Sequence, residues 1–288
     1  MNGQEREIKK SASVHTRRII AYIVLGLLTV ICLFWFYLLI IYATHSNSEI
    51  QSGFLALPGK YAVKNWKALL EGSEDIIRGL RNSLIVSGAN ALVCTYFSTM
   101  TAYAIHVYDF KGKKFIFTFI LMVMMIPTQV TVLGFLDLVT KMHLMDNFIP
   151  LIIPAVASPV TFYYLKQYMD STLPLALIEA ARIDGSGELR TFNTIALPLM
   201  KPAIAVQAIF SFVGAWNNYF VPSHILIKNP KLKTVPILVA ELRSADYAKF
   251  NLGKVYMFIA VAIFPVVVIY LVLSKHIVGG MSLGAVKG

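Results

Sequence analysis

The sequence predicts an all-α integral membrane protein with six transmembrane helices, and three observations predict it. Of the 288 residues, 57% are hydrophobic and only 14% are charged, against about 25% charged in soluble domains. The apolar residues gather in runs, several long enough for the roughly 20 residues that cross a bilayer as a helix. Between two of those runs lies a polar, turn-bearing stretch from Glu179 to Pro198, EAARIDGSGELRTFNTIALP. It is too short for a domain and too patterned for a casual loop. In a membrane protein, an ordered loop of this kind presents itself to something in the water.

The spans are taken in chain order. The first, Ile19 to Tyr42, is nearly pure Leu, Ile, Val and aromatic. The second, about Ser83 to Ile105, carries Asn90, Ser98, Thr99 and Thr101. The third runs from about Phe115 to Val139. The fourth, about Phe148 to Tyr168, is interrupted by Pro150, Pro154 and Pro159. The fifth runs from about Ala203 to Pro222 and the sixth from about Val255 to Ser274. A span that is apolar all round is able to face lipid, as the first is. Polar residues at depth are costly against hydrocarbon, so the second, fourth and fifth spans are expected to face other helices or a water-filled path. The prolines free carbonyls that need partners inside the protein. This pattern suits a channel or transporter core better than an anchor. The chain then divides into an N-terminal segment (1–18), a membrane domain (19–274) with its polar loop at about 170–201, and a C-terminal tail (275–288).

The net charge is +11. The basic residues are spread over many short loops and form no arm or stripe, which argues against nucleic acid as a partner. Membrane insertion bias accounts for them. Arg17 and Arg18 flank the first span, and Lys111, Lys113 and Lys114 fill a very short loop, so both vote for an N-terminus inside. Six spans then place the C-terminus and the Glu179 loop inside as well. The apolar run after Arg18 is longer than a signal-peptide core and is followed by no small-residue cleavage site, so it reads as a retained span. Cys32 and Cys94 lie in apolar runs with no neighbouring His, which suits small buried hydrophobes rather than a disulfide or a metal site. The long outside segments, about Ala43–Asn82 and Ser223–Lys254, read as partly ordered caps.

The polar loop reads as helix, turn, helix. Asp170, Ser171 and Thr172 are helix-capping types, and Pro174 follows in a first turn. A short helix is expected over Leu173–Arg182, ended by Asp184-Gly185, where Gly tolerates the left-handed cap. A second helix is expected over about Glu188–Ala196, with Pro198 and Pro202 re-aiming the chain into the fifth span. Ala180 and Ala181 are small enough for a partner's backbone to approach. Glu179 is able to accept charge-assisted hydrogen bonds, and Arg182 and Asp184 are candidate local partners or rim charges. An amphipathic surface helix resting on lipid headgroups is the plainer reading.

The spacing E-A-A, three residues, G, nine residues, I-x-L-P is met without a gap by Glu179, Ala180, Ala181, Gly185, Ile195, Leu197 and Pro198. It resembles the signature cytoplasmic loop of binding-protein-dependent ABC importer permeases, which have the type I importer fold. Asp184-Gly185 and LPLMKP (Leu197–Pro202) resemble the carbohydrate-uptake branch, the type of the maltose importer's smaller permease subunit. AWNNYFVP (Ala215–Pro222) and GGMSLGAVKG (Gly279–Gly288) resemble that branch's fifth span and terminus. Related permeases carry glycerol phosphate diesters and other polar solutes. The resemblance implies that Glu179, Ala180, Ala181, Asp184 and Gly185 dock a coupling helix into a groove on a separate ATPase. It also implies a second permease subunit, two ATPase copies, an extracytoplasmic solute-binding protein, a sugar or oligosaccharide substrate, and residence in a bacterial cytoplasmic membrane. ATP and Mg would be held by the partner, because G-x-x-x-x-G-K-[ST] does not occur here. No catalytic or metal-binding residue is expected.

For the solute path, Trp216, Asn217, Asn218 and Tyr219 offer an aromatic face and amides suited to sugar. A membrane-interface belt explains the same residues equally well. In the third span Gln129 is a candidate for lining the path, with hydrogen bonding between helices as its alternative. Asp137 and Lys141 are spaced for a helical ion pair. A secondary transporter driven by an ion gradient would want an ionisable residue at mid-membrane, and a membrane enzyme would want acidic or His clusters at one face. Neither pattern stands out.

Overall fold

The computed structural model describes residues 3–71, 76–244 and 251–284, with side chains described outside 3–14, 16, 128–129, 244 and 276–284. The chain runs α1 (Gly3–Ala43), α2 (Asn47–Ser52), α3 (Ala62–Leu70), α4 (Ile76–Val107), α5 (Lys113–Val123), α6 (Thr128–Lys141) and α7 (Ile149–Ile152), the last followed by a 3-10 turn (Ile153–Val156). It continues through α8 (Pro159–Thr172), α9 (Leu175–Ile183), α10 (Glu188–Thr191), a π turn (Phe192–Ala196), α11 (Leu197–Leu199) and α12 (Lys201–Trp216). The last elements are α13 (Phe220–Ile225), a 3-10 turn (Pro230–Leu232), α14 (Val235–Ser244) and α15 (Leu252–Gly284). Among the described residues there is no strand.

Among the described residues, four stretches are each long and apolar enough to cross a membrane: Arg17–Ala43, Ile76–Val107, Ile149–Thr172 and Leu252–Lys275. A fifth arises if Glu188–Leu199 and Lys201–Trp216, bent by 82°, are taken as one broken span. The expected third span is delivered as two helices, α5 and α6. Pro127 causes the break. It stands extended at φ −62°, ψ 126°, it has no N–H for a helical bond, and its ring keeps the preceding residue out of the α region. The expected fifth span also stops early, at Trp216. Asn217 closes α12, and α13 starts separately at Phe220, with the Asn218 side-chain oxygen accepting from Val221 N (3.4 Å).

The chain forms two units, residues 1–72 with 246–261, and residues 73–245 with 262–288. In the larger unit α4 is the centre, with α8 and α12 packed on it. Burial matches the expected division of labour. In its most apolar stretch only 6% of Arg17–Ala43 is buried, against 39% of Ile76–Val107. One chain of polar side chains links the second, fourth and fifth spans, while Thr99 and Thr101 bond carbonyls of their own helix. Ser211 donates to Cys94 Sγ (3.2 Å), Cys94 donates to Thr161 Oγ1 (3.3 Å), and Ser158 reaches the same Thr161 hydroxyl (3.0 Å). Asn90 donates to the Leu151 carbonyl (3.1 Å) in the proline-interrupted segment, the kind of partner that such a segment needs. Cys94 is buried, whereas Cys32 lies on the exposed surface of α1, not in a core. Asp137 and Lys141 form the expected ion pair, at 2.6 Å.

In the smaller unit, the turn after α1 is organised by a capping box. The Ser46 hydroxyl accepts from Glu49 N (3.3 Å) and the Glu49 carboxylate accepts from Ser46 N (3.0 Å). Asn65, buried on α3, donates to the Ala43 and His45 carbonyls (2.9 and 2.8 Å). The Asn47 side chain accepts from Leu252 N (3.0 Å), and Tyr42 stacks on Tyr256 with ring centroids 5.1 Å apart.

Candidate functional site

The polar loop folds as two helices around a tight turn, with shifted boundaries. Pro174 pushes Leu173 into extended backbone (φ −106°, ψ 97°). The first helix therefore begins at Leu175 rather than Leu173, and Pro174 stands at its N-cap without a side-chain cap. Asp170, Ser171 and Thr172 do not cap it; they complete α8. Asp170 is engaged elsewhere, with Lys166 Nζ (2.5 Å) and His106 Nδ1 (2.8 Å). The other ring nitrogen of His106 lies 2.9 Å from the Leu173 carbonyl oxygen.

Alternate faces of α9 do different things. Ile178 and Ala181 are buried, with Phe192 buried on the facing π turn. Glu179, Ala180, Asp184 and Gly185 are exposed. Ala181 is therefore a packing residue first, and the small outward residue is Ala180. Ile183, at 86% exposure, is the apolar tip. Gly185 takes φ +77°, in the left-handed region that favours Gly at a helix end. Ser186 N donates to the Ala181 carbonyl (2.9 Å), closing the turn. The second helix begins at Glu188 as expected but widens to a π turn over Phe192–Ala196 before α11. Ala180, Ala181, Asp184, Gly185, Arg190 and Thr194 border a hollow of about 450 Å³ on this elbow.

One carboxylate ties the elbow together. Arg182 Nε donates to Glu188 Oε1 (2.7 Å) across the turn. Tyr108, just past α4, donates to Glu188 Oε2 (2.6 Å), and Tyr103 reaches the same oxygen at 3.5 Å. The guanidinium carbon of Arg182 stands 5.6 Å from the centroid of the Tyr108 ring. The hydrogen bonds from Arg182 and then Tyr108 hold the Glu188 carboxyl below its ordinary pKa. Its bond to Glu188 raises Arg182, and burial raises the Tyr108 phenol. The loop thus presents a neutralised, hydrogen-bonded base and an apolar tip.

The candidate path residues are not one cluster. Trp216 is 4% exposed and stacks on Phe212, with ring centroids 5.6 Å apart. Asn217 ends α12, and the Asn218 side-chain oxygen accepts from Val221 N in the first turn of α13 (3.4 Å). Tyr219 offers an open ring, at 47% exposure. Gln129 belongs to α6, but its side chain lies outside the described residues. The residues that sequence reasoning missed are Tyr103, His106 and Tyr108. Their partners are 64 or more positions away, and no local pattern announces such pairing.

Residues 95–282 match the family described as binding-protein-dependent transport system inner membrane component. The chain is 31% identical to the arabinooligosaccharides transport system permease protein AraQ of Bacillus subtilis (strain 168), over 98% of this chain and 100% of that protein. It is 30% identical to the trehalose/maltose transport system permease protein MalG of Thermococcus litoralis, over 94% and 98%. The fold is that of a chain in the crystal structure of a bacterial ABC transporter involved in the import of the acidic polysaccharide alginate. The TM-score is 0.78 at 20% identity, covering 91% of this chain and 97% of that one.

Proposed function

Because the chain belongs to the family of binding-protein-dependent transport system inner membrane components, we propose that it is one permease subunit of an ATP-driven importer of sugars or oligosaccharides. The sugar class is supported by what its relatives carry, as their names state. Its partners are a second permease subunit, two copies of an ATPase that binds ATP and Mg, and an extracytoplasmic solute-binding protein. It resides in a bacterial cytoplasmic membrane, with both termini and the Glu179 loop in the cytoplasm, the orientation favoured by Arg17, Arg18 and the Lys111–Lys114 loop.

The observation that carries this reading is the elbow α9–α10 with Gly185 at its joint (φ +77°). Glu179, Ala180, Asp184 and Gly185 form its exposed docking surface, and Ala181 supports it from within. ATP closes the two ATPase subunits, their grooves move, and each elbow follows. A stiff elbow passes that displacement to the spans, which alternate between outward and inward openings. Coupling requires the contacts of the elbow to differ between the outward and inward states by on the order of a few kcal/mol, enough to shift their populations. Trp216 supports the path by packing, while Asn217, Asn218 and Tyr219 offer the polar and aromatic groups that a sugar needs.

Reconstituted vesicles test this reading. Uptake is expected to require ATP and the partner ATPase, and to persist without an ion gradient. Gly185→Val and Ala180→Trp are expected to abolish uptake while leaving membrane insertion intact. Normal transport by both variants refutes the docking role.

A further inference from the structure

We infer that the end of α4 and the elbow α9–α10 form a single moving body, clasped at two points, with Glu188 as its positioning residue. The inference rests on the coupling role proposed above and names how force leaves the elbow. The first clasp is at the entry of α9. His106 Nε2 lies 2.9 Å from the carbonyl oxygen of Leu173, two residues before the helix begins, and Nδ1 lies 2.8 Å from Asp170. The second is at the exit. Tyr108 donates to Glu188 at 2.6 Å, and the same carboxylate takes Arg182, the penultimate residue of α9, at 2.7 Å. Both ends of a nine-residue helix are therefore tied to two residues that lie two positions apart.

The physical distinction is between sliding and pulling. The buried face of α9, Ile178 and Ala181, packs through non-directional apolar contact. Such a face resists separation without tying any one atom of α9 to a particular atom of α4. Hydrogen bonds to a carboxylate are directional, and between side chains as exposed as Arg182 and Glu188 they supply geometry rather than strength. Glu188 receives donors from two elements at once, so rotating α9 away from α4 must break one of them. Motion imposed on the elbow is thus handed to α4, the helix on which α8 and α12 pack.

The test uses the whole complex, with both permeases, the ATPase and the binding protein, in lipid nanodiscs. Spin labels are placed at Leu175→Cys in α9 and Leu92→Cys in α4, both at exposed positions, with Cys32→Ser removing the exposed native thiol. Pulsed dipolar distances are read without nucleotide and with ATP plus vanadate. One narrow distance, the same in both states, is expected. In Tyr108→Phe and Glu188→Gln it is expected to shift or broaden with nucleotide, and Glu188→Asp is expected to narrow it again. Stimulation of ATP hydrolysis by the binding protein is expected to fall on the order of fivefold or more in the first two variants, the lower end of ordinary coupling between sites. ATPase co-purification is expected to stay unchanged.

A nucleotide-dependent distance in the parent complex overturns the single-body inference. So does an unchanged narrow distance in both variants. Loss of the ATPase in proportion to loss of stimulation reduces Glu188 to a folding role and overturns it too. Absence of any ATPase from the parent complex defeats the coupling reading itself, and this inference falls with it.

Discussion

Gly253 lies directly against the backbone of His45: a Cβ at Gly253 would stand 2.4 Å from the His45 carbonyl oxygen and 2.7 Å from Asn65 Nδ2. That same Asn65 nitrogen donates to the His45 carbonyl at 2.8 Å. The first turn of α15 thus fits the turn after α1 only because residue 253 has no side chain. Gly253→Ala is expected to cost about 1–3 kcal/mol through overpacking. Thermal melting of the purified protein in detergent reads this as a lower midpoint, and an unchanged midpoint shows that the turn moves aside freely.

The His45 ring makes the same turn sensitive to pH. Nε2 lies 2.8 Å from the Leu57 carbonyl oxygen and Nδ1 lies 3.0 Å from the Glu49 carboxylate. Both partners are acceptors, so only the imidazolium satisfies both. The bond to Leu57 raises the His45 pKa above 6.5, against the opposing effect of burial. The folded value being the higher one, the stabilisation is full below pH 6.5 and is lost as pH rises through the folded value. Tryptic cleavage at Lys60 and Lys64, normalised to a control peptide, is expected to quicken from pH 6 to pH 9. His45→Gln is expected to flatten that slope, and a slope that persists in the variant rules out His45 as its source.

Asn82, 2% exposed, anchors two backbone carbonyls from a distant part of the chain. Its amide nitrogen donates to the Lys231 and Lys233 carbonyls at 2.9 and 3.0 Å. Ser83 next to it accepts from Val235 N at 2.8 Å. Asn82→Ala removes the donor of two part-buried hydrogen bonds, at on the order of 1 kcal/mol for each. Proteolysis between residues 228 and 234 is expected to rise several-fold, while the α9–α10 elbow keeps its protection.

Trp216 and Tyr219 separate packing from solute contact. Trp216→Ala removes a buried ring stacked on Phe212 and is expected to cost about 3–5 kcal/mol of stability. Tyr219→Ala, at an open position, is expected to leave folding intact and change solute preference. Competition among oligosaccharides in uptake assays, with melting measured in parallel, checks both. Altered preference from Trp216→Phe with a normal midpoint shows that the indole itself meets solute.

The membrane class, the helical content and the elbow at Glu179–Pro198 are legible in the residues themselves, because each depends on local chemistry. Apolar length sets a span, Pro174 sets a helix start, and Gly185 sets a left-handed turn. Local chemistry also held the cause of the broken third span, in Pro127, although hydropathy alone read one continuous helix there. What the amino-acid order by itself did not reveal is partnership over distance. Asp170 has the side chain of a helix cap, yet His106 and Lys166 claim it at the end of α8. Trp216 has the ring of a sugar platform, yet Phe212 covers it. Ala181 has the size for docking, yet it faces inward. The sequence alone therefore settled the material of each helix and the places where the backbone must turn, since those are decided within a few residues. Only the tertiary structure decided which side chains are free to act, because a donor, an acceptor or a ring is available only when no distant neighbour has already taken it.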